Sequence, residues 1–158
     1  MPDDRMTIAH EWFEQVWNQG QVEAIDRLFA EDGVAHGLVD AQGSELRGPA
    51  GYKPFFHTFR EAFPDIRVIV EDAIVEGDKV AARCVVRGTH LGHNLGFAAT
   101  GNRVEFTGMT FLRVRDGQIV EAWNNFDFAT MNTQLSLRSG GDDTASPESS
   151  GSATGGKL

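Results

Sequence analysis

From residue 66 onward the chain has little option but an antiparallel sheet. Residues 66–76, 79–90, 103–115 and 118–128 each carry the apolar–polar alternation of a half-buried strand. Gly77-Asp78 and Asp116-Gly117 stand between the members of two pairs, and Asp-Gly between alternating segments is a strong two-residue hairpin signal. A glycine-rich stretch, 91–102, links the two hairpins. Helical spacing precedes them. Ala9, Trp12, Phe13, Val16 and Trp17 recur at helical intervals over 5–19, and Gly20 is a natural stop. Val22, Ile25, Leu28 and Phe29 mark a short second helix, closed by Glu31-Asp32-Gly33. A short strand is expected over 34–39 and a polar loop over 41–48. Pro49 suits the first turn of a third helix bearing Tyr52, Phe55, Phe56, Phe59 and Phe63, which Pro64 ends. Three helices followed by long antiparallel strands make an α+β domain with its helices on one face of the sheet.

Two-residue turns fix register, and register decides which side chains share a face. Counting back from Gly77-Asp78 pairs Val75 with Val80, Ala73 with Ala82, Glu71 with Cys84 and Ile69 with Val86. It carries Gly88 and His90 onto the same, mainly apolar, face. The other face sets Asp72 against Arg83 and Val68 against Arg87. Counting from Asp116-Gly117 pairs Leu112 with Glu121, Thr110 with Trp123, Gly108 with Asn125 and Phe106 with Asp127. In an unbroken strand Ile119, Glu121, Trp123, Asn125 and Asp127 then lie together. An aspartate among such neighbours would have its pKa raised by desolvation, which suits it to proton transfer near neutral pH. Gly108 leaves room for a pocket wall opposite Asn125, or equally marks a bulge, which would shift parity.

With 158 residues, 41% of them hydrophobic and 11 of them phenylalanine, the chain can build one domain with a sizeable core. Its net charge of −9 offers no basic patch to phosphates, which argues against nucleic acid and anionic membranes as partners. The single cysteine, Cys84, cannot form an internal disulfide and reads as a small buried hydrophobe. The start, M-P-D-D-R-M, lacks the basic region and apolar run of a signal peptide. No apolar stretch approaches the ~18 residues of a membrane span, and the expected compartment is the cytoplasm. The expected domain is 1–138. Residues 139–158 hold no large apolar side chain before the last leucine, so they cannot offset their ordering entropy and are expected to form a disordered tail.

Several short stretches, taken in order, carry a family resemblance. They are A-F-P-D at 62–65, E-G-D-K-V at 76–80, G-T-H-L-G at 88–92, T-G-N-R-V at 100–104, and D-G-Q-I-V-E-A-W-N-N-F-D at 116–127, with Gln134-Leu135 after it. On these the chain, over roughly 6–136, resembles the SnoaL-like polyketide cyclases and ester cyclases of the nuclear-transport-factor-2-like superfamily. The resemblance implies a cone: a strongly curved, mainly antiparallel sheet wrapped around a pocket, with three N-terminal helices closing the other side. It implies chemistry without metal or cofactor, in which an aspartate near the end of the last strand is the acid/base residue. Asp127 matches that position. Some cyclases of the family carry a histidine two residues before this aspartate, where this chain has Asn125. The superfamily also holds isomerases, dehydratases, epoxide hydrolases and members without known catalysis, so the fold leaves the reaction open.

The candidate site therefore has Asp127 as its catalytic acid/base residue. The competing reading is a strand-end aspartate that caps a turn near Ala129-Thr130. His90, Asn125, Trp123, Phe106 and His36 are the candidate substrate-binding residues. His90, Asn125 and His36 would position a carbonyl and stabilise its oxyanion, while Trp123 and Phe106 would exclude water. Tyr52, the only tyrosine, invites comparison with ketosteroid-isomerase-like chemistry, but no second inward acid accompanies it. Arg113 and Arg115 fall on the parity opposite Asp127, against an epoxide-hydrolase arrangement. His90 and His93 do not make a zinc pattern, and neither metal nor cofactor is expected. The expected activity is a cyclase- or isomerase-type reaction on a hydrophobic, carbonyl-bearing small molecule. The alternative is a binding or assembly module that keeps the pocket without chemistry. An outer sheet face bearing Val68, Val70, Ile74 and Val85 needs a cover, so a homodimer packed through it is expected, with Asp72, Arg83 and Arg87 near the contact.

Overall fold

The first helical run is wound in two ways. In the computed structural model, which describes residues 4–137, helix α1 (Asp4–Glu11) continues directly into a π-wound segment, Trp12–Asn18. Residues five apart stand about 140° apart around an α-helix. Hydrogen bonds of the wider kind, such as Gln19 N–H to Glu14 O at 2.9 Å, bring Trp12 and Trp17 onto one side, where both are buried. Helix α2 (Glu23–Leu28) is short, because Phe29 already opens strand β1 (Phe29–Val39). Glu31-Asp32-Gly33 thus lies inside a strand instead of closing a helix, at a shift in register between Phe29 and Val34 that leaves the two acids exposed. The polar loop expected over 41–48 contains a further strand, β2 (Glu45–Arg47), paired with β1. Helix α3 (Gly48–Ala62) carries Pro49 in its first turn.

Strands β3 (Arg67–Glu76), β4 (Lys79–Thr89), β5 (Arg103–Arg115) and β6 (Gln118–Phe126) follow close to their expected places. A last helix, α4 (Phe128–Leu135), takes up the residues after β6, which the strand pattern did not foresee. The six strands run β2-β1-β6-β5-β4-β3, antiparallel except where β1 lies parallel to β6. The fold is α+β, a curved and unclosed sheet with its core between the inner face and the helices. The expected 139–158 tail lies outside the described residues. Among the described residues no helix is long and apolar enough to cross a membrane.

Both hairpin turns form where the sequence signals them. Asp116 and Gly117 have φ of 52° and 77°, the two positive values a type I′ turn requires. Beyond the turns, each hairpin slips by one residue. Asp72 faces Arg83 as expected, but Cys84 then faces Val70 and Val86 faces Val68, with Glu71 as the extra residue. Val68 and Val70 therefore turn toward the core and not toward the outer face. Likewise Val114 faces Ile119, but Arg113 faces Glu121, which leaves Val120 extra. From there Leu112 meets Ala122, Phe111 meets Trp123, Thr110 meets Asn124, Met109 meets Asn125 and Gly108 meets Phe126. A one-residue slip exchanges the faces of a strand. It points Ala122, Asn124 and Phe126 inward and Trp123 and Asn125 outward.

Candidate functional site

Aromatic side chains converge on one cavity of about 60 Å³ between the helices and the inner sheet face. Helix α3 supplies Tyr52, Phe55 and Phe59 from a single stripe, the spacing its sequence shows. The π-wound segment adds Trp12 and Trp17, and the sheet adds Val86 and Phe106. The Trp12 and Tyr52 rings meet edge-on with centroids 5.0 Å apart, and Phe55 lies 4.8 Å from Phe59. Phe55, Phe59, Phe126 and Phe128 are the part-exposed rings of the lining and mark its mouth. Phe59 on α3 and Phe128 on α4 face each other there at 5.7 Å. Phe126 lies flat over Gly108, where a Cβ would come within 2.2 Å of the ring. The glycine read as room for a pocket wall is the seat of that wall.

Few polar groups interrupt this surface. Asn124 donates from Nδ2 to the His36 carbonyl at 3.0 Å and accepts at Oδ1 from the Thr110 hydroxyl at 2.9 Å. A carbonyl can only accept, so the amide orientation is fixed and a second N–H stays available. Gly37, at φ 86°, lets β1 come this close: a Cβ there would lie 1.9 Å from the Asn124 carbonyl oxygen. Tyr52 is buried, and desolvation holds its phenol well above the usual range, offset in part by the Trp17 indole hydrogen-bonded to it. Tyr52 is thus a neutral donor at any physiological pH. Among the described residues no carboxylate and no histidine lines the cavity.

Of the residues singled out in the sequence, Phe106 lies in the cavity wall. Asp127 does not. It is exposed and caps α4, with Oδ1 accepting from the Thr130 N–H at 3.0 Å and Oδ2 from the Thr130 hydroxyl at 2.7 Å. Those bonds lower its pKa, the reverse of the expected desolvated carboxyl. The bulge at Val120 accounts for the exchange, and it carries Trp123 and Asn125 out with Asp127. His36 also lies outside. Its ring sits between Glu121 at 2.6 Å and Glu45 at 2.5 Å, stacks on Trp123, and has its pKa raised by these hydrogen bonds. Only its backbone carbonyl reaches the site, through Asn124. His90 is fully buried on the inner side as expected, yet it stands behind the cavity against Phe63 and Phe97. Its Nδ1 accepts from the Thr100 N–H at 3.1 Å, so the proton sits on Nε2, which has no partner among the described residues. Desolvation lowers its pKa.

The sequence reading missed Asn124 and the mouth residues of β6 and α4. Alternation could not find them, because the unmarked bulge reversed it. The α3 stripe was legible and did place Tyr52, Phe55 and Phe59 together.

The sequence model of the SnoaL-like polyketide cyclase family matches residues 7–135. Among solved structures, wild-type IdmH, a candidate polyketide cyclase from Streptomyces antibioticus, is 34% identical, with a TM-score of 0.74 over 85% of this chain and 100% of its own. A candidate polyketide cyclase from Bacillus cereus is 30% identical, with a TM-score of 0.71 over 85% of this chain and 82% of its own. AclR, a candidate hydroxylase from Streptomyces galilaeus, is 27% identical, with a TM-score of 0.71 over 84% of this chain and 80% of its own. Comparison with curated proteins gives no match.

Proposed function

The chain belongs to the SnoaL-like polyketide cyclase family, and from that premise we propose that it closes a ring in a flexible, apolar, carbonyl-bearing molecule held in the aromatic cavity. The observation that carries this reading is the lining itself. It is nearly all aromatic and aliphatic, with Tyr52 and Asn124 as polar residues able to donate from a hydroxyl and an amide. Such a surface folds an apolar chain on itself and excludes water, and well-oriented intramolecular reactions gain about 7–11 kcal/mol from pre-arranged geometry. The two donors suit the oxygen that turns negative as a carbonyl carbon is attacked. An enol carbon forms the new carbon–carbon bond, the carbonyl π bond breaks, and the enol proton ends on the new hydroxyl. The step is an isomerisation, balanced without an external acid or base. An acid/base role for Asp127 finds no support in its position, since its carboxylate is exposed and stays ionised.

A binding module of the same fold is the second reading, favoured by the lack of any carboxylate in the lining among the described residues. Tyr52→Phe separates the two. The variant keeps shape and loses one donor. The carbonyl dye 6-propionyl-2-(dimethylamino)naphthalene should bind the wild-type cavity with emission shifted to the blue of its value in water. In Tyr52→Phe it should shift further to the blue, because a hydrogen bond to its carbonyl is gone. Turnover of a cyclisable substrate should fall about 10²–10³-fold, the usual loss for one oxyanion donor. No turnover by the wild type would leave only the binding module, and unchanged turnover in Tyr52→Phe would take the Tyr52 hydroxyl out of the reaction.

A further inference from the structure

The cavity is too small for the molecule proposed to use it. Pockets for drug-sized ligands run to about 300–1,000 Å³, against about 60 Å³ here. The mouth must therefore widen, and four part-exposed rings line it. Two of them, Phe126 and Phe128, flank Asp127 in the chain. We propose, resting on the pocket reading above, that Asp127 is a positioning residue: by capping α4 it latches the mouth and sets how fast a ligand is admitted.

The latch is built from both sides. The Asp127 backbone N–H donates to the Thr107 carbonyl at 2.9 Å, which ties it to β5. Its side chain takes the N–H and the hydroxyl of Thr130 in the first turn of α4. Phe128, the first residue of that turn, is thereby held 5.7 Å from Phe59 across the mouth and 5.9 Å from Phe106 on the wall. The far end of α4 is anchored independently. Gln134 donates to the Glu105 carbonyl and accepts the Glu105 N–H, at 2.9 and 2.8 Å. Asn102 donates to the carbonyls of Gln134 and Leu137, and Met131 and Leu135 are buried. Loss of the cap thus frees one turn, carrying Phe128, and leaves the rest of the helix docked. Nothing in this role needs a titrating carboxyl. Serine and asparagine cap as well as aspartate, while alanine does not.

The test measures stopped-flow uptake of the same naphthyl ketone dye by the intact chain, with amide hydrogen exchange on each variant. Asp127→Ala should admit the dye about fivefold faster, the order expected from the lost cap. Asp127→Ser and Asp127→Asn should stay within about twofold of wild type. Exchange at the Thr130 amide should rise in Asp127→Ala alone, while the Leu135 amide stays protected in all four proteins. Equal uptake by wild type and Asp127→Ala would overturn the latch and leave the pocket reading standing. Slow uptake in Asp127→Ala, or Ser and Asn variants that behave like Ala, would also overturn it. No uptake by wild type would overturn the pocket reading and the latch with it.

Discussion

His36 and His90 pull the pH dependence of stability in opposite directions. The two carboxylates at His36 raise its folded pKa above the ordinary histidine value of about 6.5. Its contribution is therefore fully present below that value and is lost as pH rises through the raised one. His90 is buried neutral, with its pKa lowered. Below about pH 6.5 the unfolded chain takes up a proton that the folded chain refuses, so this contribution is present above that pH and lost as pH falls toward the lowered value. Thermal melts between pH 5 and 9 should show His36→Gln lowering the melting temperature most on the acid side, which flattens the alkaline fall and leaves the slope set by His90 in place. A variant whose alkaline limb matches wild type would contradict the His36 assignment. At this scale the sequence was a partial guide. The inward parity of His90 was legible, because β4 alternates without interruption from its turn. Asp127 was misplaced because parity was carried through a strand that does not alternate throughout.

Strand β6 shows why elements are easier to read than the faces they present. Asp-Gly announces its turn through a backbone need, positive φ at two successive residues, that few other residues meet. Val120 announces nothing, since a valine in a bulge looks like a valine in a strand. The same holds at Glu71. Strand β2 is short and polar at its ends and had no local signal, whereas α4 had one in the capping aspartate, outweighed because Phe126-Asp127-Phe128 keeps the alternation of a strand. The π winding at Trp12–Asn18 was hidden for a related reason, because its buried residues also fit α-helical spacing. Gly108 leaves the room its sequence position suggested, and the Phe126 ring fills it. A methyl added there meets the Phe126 ring, so Gly108→Ala should destabilise the fold by about 1–3 kcal/mol, the usual range for overpacking. Urea unfolding should show a smaller penalty in a Phe126→Ala background, and equal penalties in the two backgrounds would contradict the contact.

At the scale of the molecule, the outer sheet face is the surface left uncovered. Of the residues expected there, Val68 and Val70 turn inward, Val85 is buried and Ile74 is exposed at 68%, and Met109 and Phe111 join it at 60% and 45%. The need for a cover is the same, and a homodimer through this face is expected. Sedimentation at micromolar concentration should give a dimer, and Met109→Glu with Phe111→Glu should give a folded monomer. A wild-type monomer would refute the expectation. The fold class, the helix stripes and the turns were readable from sequence, because each follows from local periodicity or local backbone demand. The site was readable only on its helical side, because its sheet side depends on a register set by a bulge. The inner, aromatic cavity with Tyr52 and Asn124 as its polar end is the central claim. A crystal of the protein soaked with the naphthyl ketone tests it most directly. The account predicts the ketone oxygen within about 3.2 Å of both the Tyr52 hydroxyl and the Asn124 Nδ2, with the rings between Trp17, Phe106 and Phe128. A ketone bound instead on the outer face, beside Trp123, Asn125 and Asp127, would contradict it.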